Sequence, residues 1–266
     1  MSAALTDPPA DAWVSAHIRS VLAPNAGPMT LDGTNSLVLS GDGESAVIVD
    51  PGPPDPDHLA ALTAGPPVEL ILITHHHIDH VEAAAQLAAR TGAPVRAFLP
   101  EHCHGGGTAL VDDEQIGVAG LDIRVLHTPG HCADSVCFVV SDDAAVLTGD
   151  TILGRGTTVI DDLGAYLGTL QRLARVGSSG PMLAVPAHGP MIADLRTVAE
   201  QYLAHRRARL DQVRSVLDRL GDETSDADVV DAVLAEFYEK DIDPRNRPYA
   251  LKSIGTQLDH LRQLRP

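Results

Sequence analysis

The chain has 266 residues, 44% of them hydrophobic, enough for one main domain with a sizeable core and a smaller second unit. No apolar run approaches the 18 residues of a membrane span. The net charge is −17; residues 1–200 hold 8 Lys+Arg against 24 Asp+Glu and residues 201–266 hold 11 against 12, an imbalance that disfavours non-specific binding to nucleic acid or anionic membranes.

Aromatic residues make up only 3%, so Leu, Val, Ile and Ala must fill the core. Cys103, Cys132 and Cys137 form neither a zinc-ribbon spacing nor an even disulfide set. The opening MSAALTDPPADAW lacks the basic and apolar regions of a secretion signal, and a cytoplasmic location is expected.

In chain order, residues 29–50 predict two antiparallel strands, 36–39 and 46–49, around a Gly-Asp-Gly turn at 41–43. Pro51-Gly-Pro-Pro54 breaks the sheet and leads to a helix over about 55–64, and a strand at 69–73 then begins an alternation of β and α. That strand runs into ILITHHHIDH (71–80), where His75, His76, His77, Asp79 and His80 crowd into six positions before an Ala-rich helix through residue 90. In an extended exit, residues two apart point the same way, so His75 and His77 can share one cation while His76 faces elsewhere. Asp79 and His80 follow the turn and address a second cation. Neutral imidazole with carboxylate suits zinc first, with manganese or iron also compatible.

Residues 94–99 predict a further strand, and 101–107 a loop whose His102 and His104 read as an exposed segment or lid. The strand at 123–126 delivers His127-Thr-Pro-Gly-His131, and the Pro-Gly turn presents His131 as a third imidazole for the His75/His77 cation. His127, before the turn, is set aside. The hairpin 136–140 and 144–147 ends in Thr148-Gly-Asp150, a carboxylate placed to bridge two cations. A helix over 163–176 precedes the strand 182–185, which ends at His188. Four strand ends thus deliver five His and two Asp, and His17, His58, His205 and His260 are left as solvated positions.

The tail predicts three helices: an Arg-rich one through 220, one over 226–238 and one over 249–264. Val213, Val216, Leu217 and Leu220 fall at core spacing. Arg206, Arg207, Arg209 and Arg214 read either as a solvated face or as contacts to a phosphate backbone.

THHHIDH (74–80), TPGH (128–131), TGD (148–150) and AHG (187–189), in this order, resemble the metallo-β-lactamase superfamily. The resemblance implies an α/β fold, an αββα sandwich with metals at one edge, as a catalytic domain over 1–199, with a small helical, winged-helix-like domain over 200–266. It implies two divalent metal ions, one held by His75, His77 and His131, the other by Asp79, His80 and His188, with Asp150 bridging. Asp79 would also be catalytic, orienting or deprotonating water, so that a metal-bridging hydroxide attacks a carbonyl or phosphoryl centre.

Residues 24–35 and 149–159 and the C-terminal helices resemble one branch, that of the mitochondrial β-lactamase-like endoribonuclease and its bacterial relatives. This implies a single-stranded RNA phosphodiester as substrate, with Thr34, Asn35, Thr157 and Thr158 beside it. The alternative is a small ester, thioester (glyoxalase II-type) or lactone, favoured by the acidic surface. A non-enzymatic winged-helix binding protein with a residual metal site is the third expectation. The chain departs from the family pattern at Val81-Glu82-Ala83, where Ser/Val-Gly-Gly is usual. Its bridging position is Asp150 rather than the Cys of many β-lactamases, which leaves Cys132 as a packed thiol.

Overall fold

The computed structural model describes residues 11–221, 224–238 and 247–264. Among them, the apolar runs become strands covered on both faces, which is why they show no polar alternation in the sequence. β1 (Asp11–Trp13), β2 (Ile18–Leu22), β3 (Asn35–Leu39) and β4 (Ala46–Val49) pair antiparallel in chain order, and β5 (Val68–Leu72) and β6 (Val95–Arg96) extend the sheet in parallel. The second sheet has the order β11-β10-β9-β8-β7: β7 (Gln115–Val118), β8 (Leu121–His127), β9 (Val136–Val140) and β10 (Ala145–Gly149) are antiparallel, and β11 (Leu183–Pro186) lies parallel to β10.

Side-chain period 2 sorts the core into layers. Leu37, Leu39, Val47, Val49, Leu70 and Leu72 face Ile123, Val125, Phe138, Val140 and Leu147 across the sandwich. The intervening Val38, Ile48 and Ile71 pack outward under α1 (Pro56–Leu62) and the Ala-rich helix α3 (Ala84–Thr91), which follows the single turn α2 (Ile78–Val81). On the other outer face, Leu126, Cys137, Val139 and Val146 share one cluster with α4 (Leu163–Val176), α5 (Leu195–Leu220), α6 (Asp226–Phe237) and α7 (Arg247–Gln263). The result is the expected αββα arrangement.

Several local expectations shift. The helix after His77 is interrupted because the Ala83 N–H donates to the Gly52 carbonyl (3.0 Å) instead of continuing the ladder. The strand at 94–99 shortens to two residues, since Pro100 opens a 3₁₀ turn (Pro100–His102). β1, β2 and β7 lack a long apolar run and are not foreseen. The three tail helices lie close to their expected spans, but Leu220 is 41% exposed while Val213, Val216 and Leu217 are buried. Among the described residues after β11 there is no strand, and position 200 falls inside α5, which Asp194 caps through the N–H groups of Arg196 and Thr197. No helix among the described residues is long and apolar enough to cross a membrane.

Candidate metal centre

Two hydrogen bonds join the sheets beside the strand ends. Val136 N–H donates to Thr74 O (2.8 Å) and Asn35 N–H to Ala187 O (2.7 Å). They bring the exits of β5, β10 and β11 and the turn after β8 to one edge, where the donor side chains converge.

Three imidazole nitrogens form a triangle: His75 Nε2 lies 3.0 Å from His77 Nδ1, and His131 Nε2 lies 3.2 and 3.1 Å from these two. One cation held by bonds of about 2.0 Å in tetrahedral geometry separates its donors by roughly 3.3 Å. Beside it, Asp79 Oδ2 is 3.2 Å from His188 Nε2 and 3.5 Å from His80 Nε2. Asp150 stands between the groups: Oδ1 is 3.3 Å from His188 Nε2 and 3.6 Å from His80 Nε2, and Oδ2 is 3.7 Å from His131 Nε2. His80 Nε2, His188 Nε2 and Asp150 Oδ1 are buried without a hydrogen bond of proper geometry. Buried polar atoms left this way are costly. The donor set therefore fits two divalent cations, one to each group, with Asp150 able to reach both.

The far side of each ring is tied down, which fixes its orientation. His80 Nδ1 meets Asp50 Oδ2 at 2.8 Å, His188 Nδ1 donates to Gly33 O at 3.0 Å, and His131 Nδ1 donates to Val159 O at 2.6 Å. His75 Nδ1 lies 3.1 Å from Thr74 Oγ1. Asp50 is buried and also accepts from Thr74 N (2.8 Å) and Thr74 Oγ1 (2.6 Å). The sequence reading missed Asp50, although an Asp closing the apolar strand AVIV is the same signal that marked Asp150.

Burial, and then the positive charge the neighbouring imidazoles would share, hold His75 well below its ordinary value, and His77 is lowered likewise. Both rings are kept neutral, the state a ligand needs. Burial opposes charge on His80, but Asp50, Asp150 and Asp79 outweigh it and push the ring up to about 9. Burial likewise works against the Asp79 carboxylate, yet His188 and His80 hold it below the usual range.

Other flagged residues are placed elsewhere. His76 is exposed and pairs with Asp134 (2.7 Å). His127 donates to Ala133 O (2.8 Å) and stacks on Phe98 at 4.1 Å. Cys132 is buried with Sγ 3.4 Å from His77 Nε2, its thiol pushed up to about 12 by burial and nearby carboxylates. His58 is not solvated but buried against Ser36 Oγ (3.0 Å), whereas His17, its side chain 32% exposed, holds Asp143 (2.8 Å). Glu82 is exposed on the surface beyond α2.

Of the four residues placed beside substrate, three have their polar groups engaged. Thr34 Oγ1 donates to Asp79 O (3.2 Å), and Asn35 Nδ2 donates to Pro186 O and Gly189 O (3.0 and 2.9 Å). Thr158 Oγ1 contacts His131 Nδ1 (2.9 Å). Thr157 is exposed and lines a cavity of about 560 Å³ that opens from His131 and Asp150 toward α5–α7. A cavity of similar volume beside the C-terminal end of α4 lies at the other end of the strands, away from the donors.

Residues 29–188 match the model of the metallo-beta-lactamase superfamily. The chain belongs to the metallo-β-lactamase superfamily. It is a hydrolase of that superfamily by family, fold and donor set together. The lactamase-like protein aptB of Emericella nidulans is 33% identical over 210 residues, 77% of this chain and 67% of that protein. The atrochrysone carboxyl ACP thioesterase of Aspergillus chevalieri is 34% identical over 209 residues, again 77% and 67%, and the lactamase-like protein adaB of Aspergillus niger is 32% identical over 211, 77% and 65%. The chain thus spans about two thirds of the length of the curated relatives it matches. Among solved structures, a beta-lactamase domain protein from Burkholderia ambifaria superposes with a TM-score of 0.77 at 21% identity, covering 95% of this chain and 88% of that one. A metallo-beta-lactamase family protein from Thermus thermophilus gives 0.71 at 24%, covering 93% of each.

These relatives carry lactamase-like and thioesterase names, not the endoribonuclease branch expected from residues 24–35 and 149–159. The geometry gives the reason. Those segments supply Gly33 O, Asn35, Thr158 and Val159 O, which orient metal donors and strand exits. Segments with that task follow the metal centre and say little about substrate.

Proposed function

We propose that this chain hydrolyses a thioester, freeing an acyl group from a thiol carrier. The carrying observation is the cavity. It begins at His131 and Asp150 and is walled by Met29, Leu31, Tyr238 and Tyr249, a surface suited to an apolar or aromatic acyl group. Similarity to a carrier-protein thioesterase supports the same reading. A single-stranded RNA substrate has the weaker support, because a net charge of −17 repels a polyanion. In this reading residues 1–199 carry the reaction and residues 200–266 cap the acyl side of the cavity.

His75, His77 and His131 would hold one cation and Asp79, His80 and His188 the other, with Asp150 touching both; the donor chemistry favours zinc. Such cations, when bound, supply a water acidic enough to react near neutral pH and polarise the thioester carbonyl. Asp79, a partly exposed carboxylate, turns Oδ2 to His188 and His80 and takes the proton of the attacking water at its other oxygen, Oδ1. Thr34 holds the Asp79 backbone in place through its carbonyl. A C–O bond forms, the C–S bond breaks, and the proton passes to the departing thiolate. Thr157 is placed to contact the acyl group at the cavity wall.

The test is release of free thiol from aryl N-acetylcysteamine thioesters by zinc- or manganese-loaded protein, with labelled single-stranded RNA run in parallel and Asp79→Ala as control. Thiol release that the variant loses, with RNA intact, supports the proposal. RNA cleavage without thiol release overturns it.

A further inference from the structure

Arg206 is a buried charge that the reaction above does not use. It lies on α5 and is 3% exposed. Its described partners are the Thr158 carbonyl, which accepts from Nη2, and the Tyr166 ring 5.4 Å from the guanidinium carbon; neither carries opposite charge. Its Nε is buried with no hydrogen-bond partner. A guanidinium is rarely left so far from a counter-ion in a folded core.

Three residues on, one turn along the same helix face, Arg209 repeats the pattern. Its guanidinium carbon sits 3.8 Å from the centre of the Tyr238 ring, and Nη1 donates to the neutral Gln212 Oε1 (2.7 Å). Both arginines line the cavity that starts at Asp150, and Asp150 is the only carboxylate among its described lining residues. On a chain of net charge −17, a positive wall flanked by Tyr238 and Tyr249 is a local reversal of sign.

We infer that this wall is an anion subsite for the acyl part of the substrate: an aromatic acyl group seats against Tyr238 and Tyr249 and presents an ionised carboxylate or acidic phenol to Arg209, with the buried charge of Arg206 one turn away on α5 adding to the attraction. Guanidinium matches such oxygens in both charge and geometry. The inference rests on the thioester reading for which bond is cut, but not for what the wall binds. The phosphate of a pantetheine carrier has related chemistry. The aromatic flanks favour the acyl group, because a phosphate gains nothing from ring faces.

The experiment measures binding to the metal-loaded full chain by calorimetry, with naphthalene-2,6-dicarboxylate and its monomethyl ester as probes. Each keeps one carboxylate for the metal end; only the diacid has a second for the arginines. Arg206 is packed too deeply to serve as the test, so the variants are Arg209→Met and Arg209→Lys. The wild type should favour the diacid by about tenfold, the order of one charge-assisted hydrogen bond. Arg209→Met should lose most of that preference and Arg209→Lys should retain part of it.

A wild-type preference below about twofold, or one unchanged in Arg209→Met, overturns the subsite. Weakened binding of 4′-phosphopantetheine in Arg209→Met, with the diacid preference intact, overturns it too by assigning the wall to the carrier. Diacid preference that depends on Arg209 in a protein that hydrolyses no thioester leaves the subsite standing and removes the thioesterase reading.

Discussion

Asp50→Asn isolates the contribution of one buried carboxylate to metal binding. Asp50 Oδ2 accepts from Thr74 Oγ1 at 2.6 Å and meets His80 Nδ1 at 2.8 Å, while Oδ1 accepts from Thr74 N at 2.8 Å. Asparagine keeps the shape and can still accept the Thr74 N–H through its oxygen. Its amide nitrogen then faces His80 Nδ1 and Thr74 Oγ1, where an acceptor stood. To avoid two opposed donors, His80 must move its proton to Nε2, the atom that faces Asp79 and Asp150. That proton blocks the lone pair a cation needs. Loss of such an orienting partner typically lowers metal affinity by about 10–100-fold, or about 1.4–2.8 kcal/mol. Metal titration against a competing chelator reads the affinity of each site, with circular dichroism confirming the fold. The expected result is a weakened His80 site beside an unchanged His75/His77/His131 site. Equal affinity at both sites in a folded variant, within about twofold of wild type, would falsify the claim that Asp50 sets the His80 tautomer.

Gly130→Ala should be strongly destabilising, because Gly130 has φ +134° and an added Cβ would lie 2.4 Å from Tyr166 Cβ. A cost of at least about 3 kcal/mol is expected. At roughly 2–4 °C per kcal/mol this is a Tm loss of roughly 6–12 °C, and a melt within about 2 °C of wild type would contradict the packing. Cys132→Ser should bind metal with unchanged stoichiometry, since Sγ faces His77 Nε2 whereas the imidazole triangle uses His77 Nδ1; loss of one equivalent by elemental analysis would make Cys132 a ligand. Burial works against the Glu114 carboxylate, but the two-point contact with Arg96 (2.9 Å each) outweighs it and lowers Glu114 below its ordinary 4.5. The native value thus lies below the unfolded one, so the stabilisation is complete above pH 4.5 and disappears as pH falls through the lowered value. For this partly exposed pair, Glu114→Gln should cost at most about 1 kcal/mol near pH 7 and nothing at pH well below 4.5; a gap that persists in acid would mean the side chain acts through packing.

Much of the donor set was legible because it is local. His75 and His77 are two apart on an extended exit, and Asp79 and His80 come just after the turn, so strand periodicity alone separates two groups. The same locality made β3, β4, β9, β10 and α4 readable, each a continuous run of one type. β2 was not readable, since Arg19 and buried Ser20 interrupt it and its place is decided by pairing with β3. The break at Ala83 comes from the Gly52 carbonyl, thirty-one positions earlier in the chain.

The sequence by itself determined the inventory: which runs could be strands, how many imidazoles and carboxylates leave them, and that the surface is acidic. Only the tertiary structure decided which ring nitrogen faces the cations and what stands behind it. Asp50, Gly33 O and Val159 O reach their histidines across 28 to 155 positions. It also decided that Arg206 and Arg209, indistinguishable in sequence from the exposed Arg207 and Arg214, turn inward to the cavity. Donor identity is a property of residues, whereas orientation and counter-charge are properties of neighbours that the chain meets only after folding.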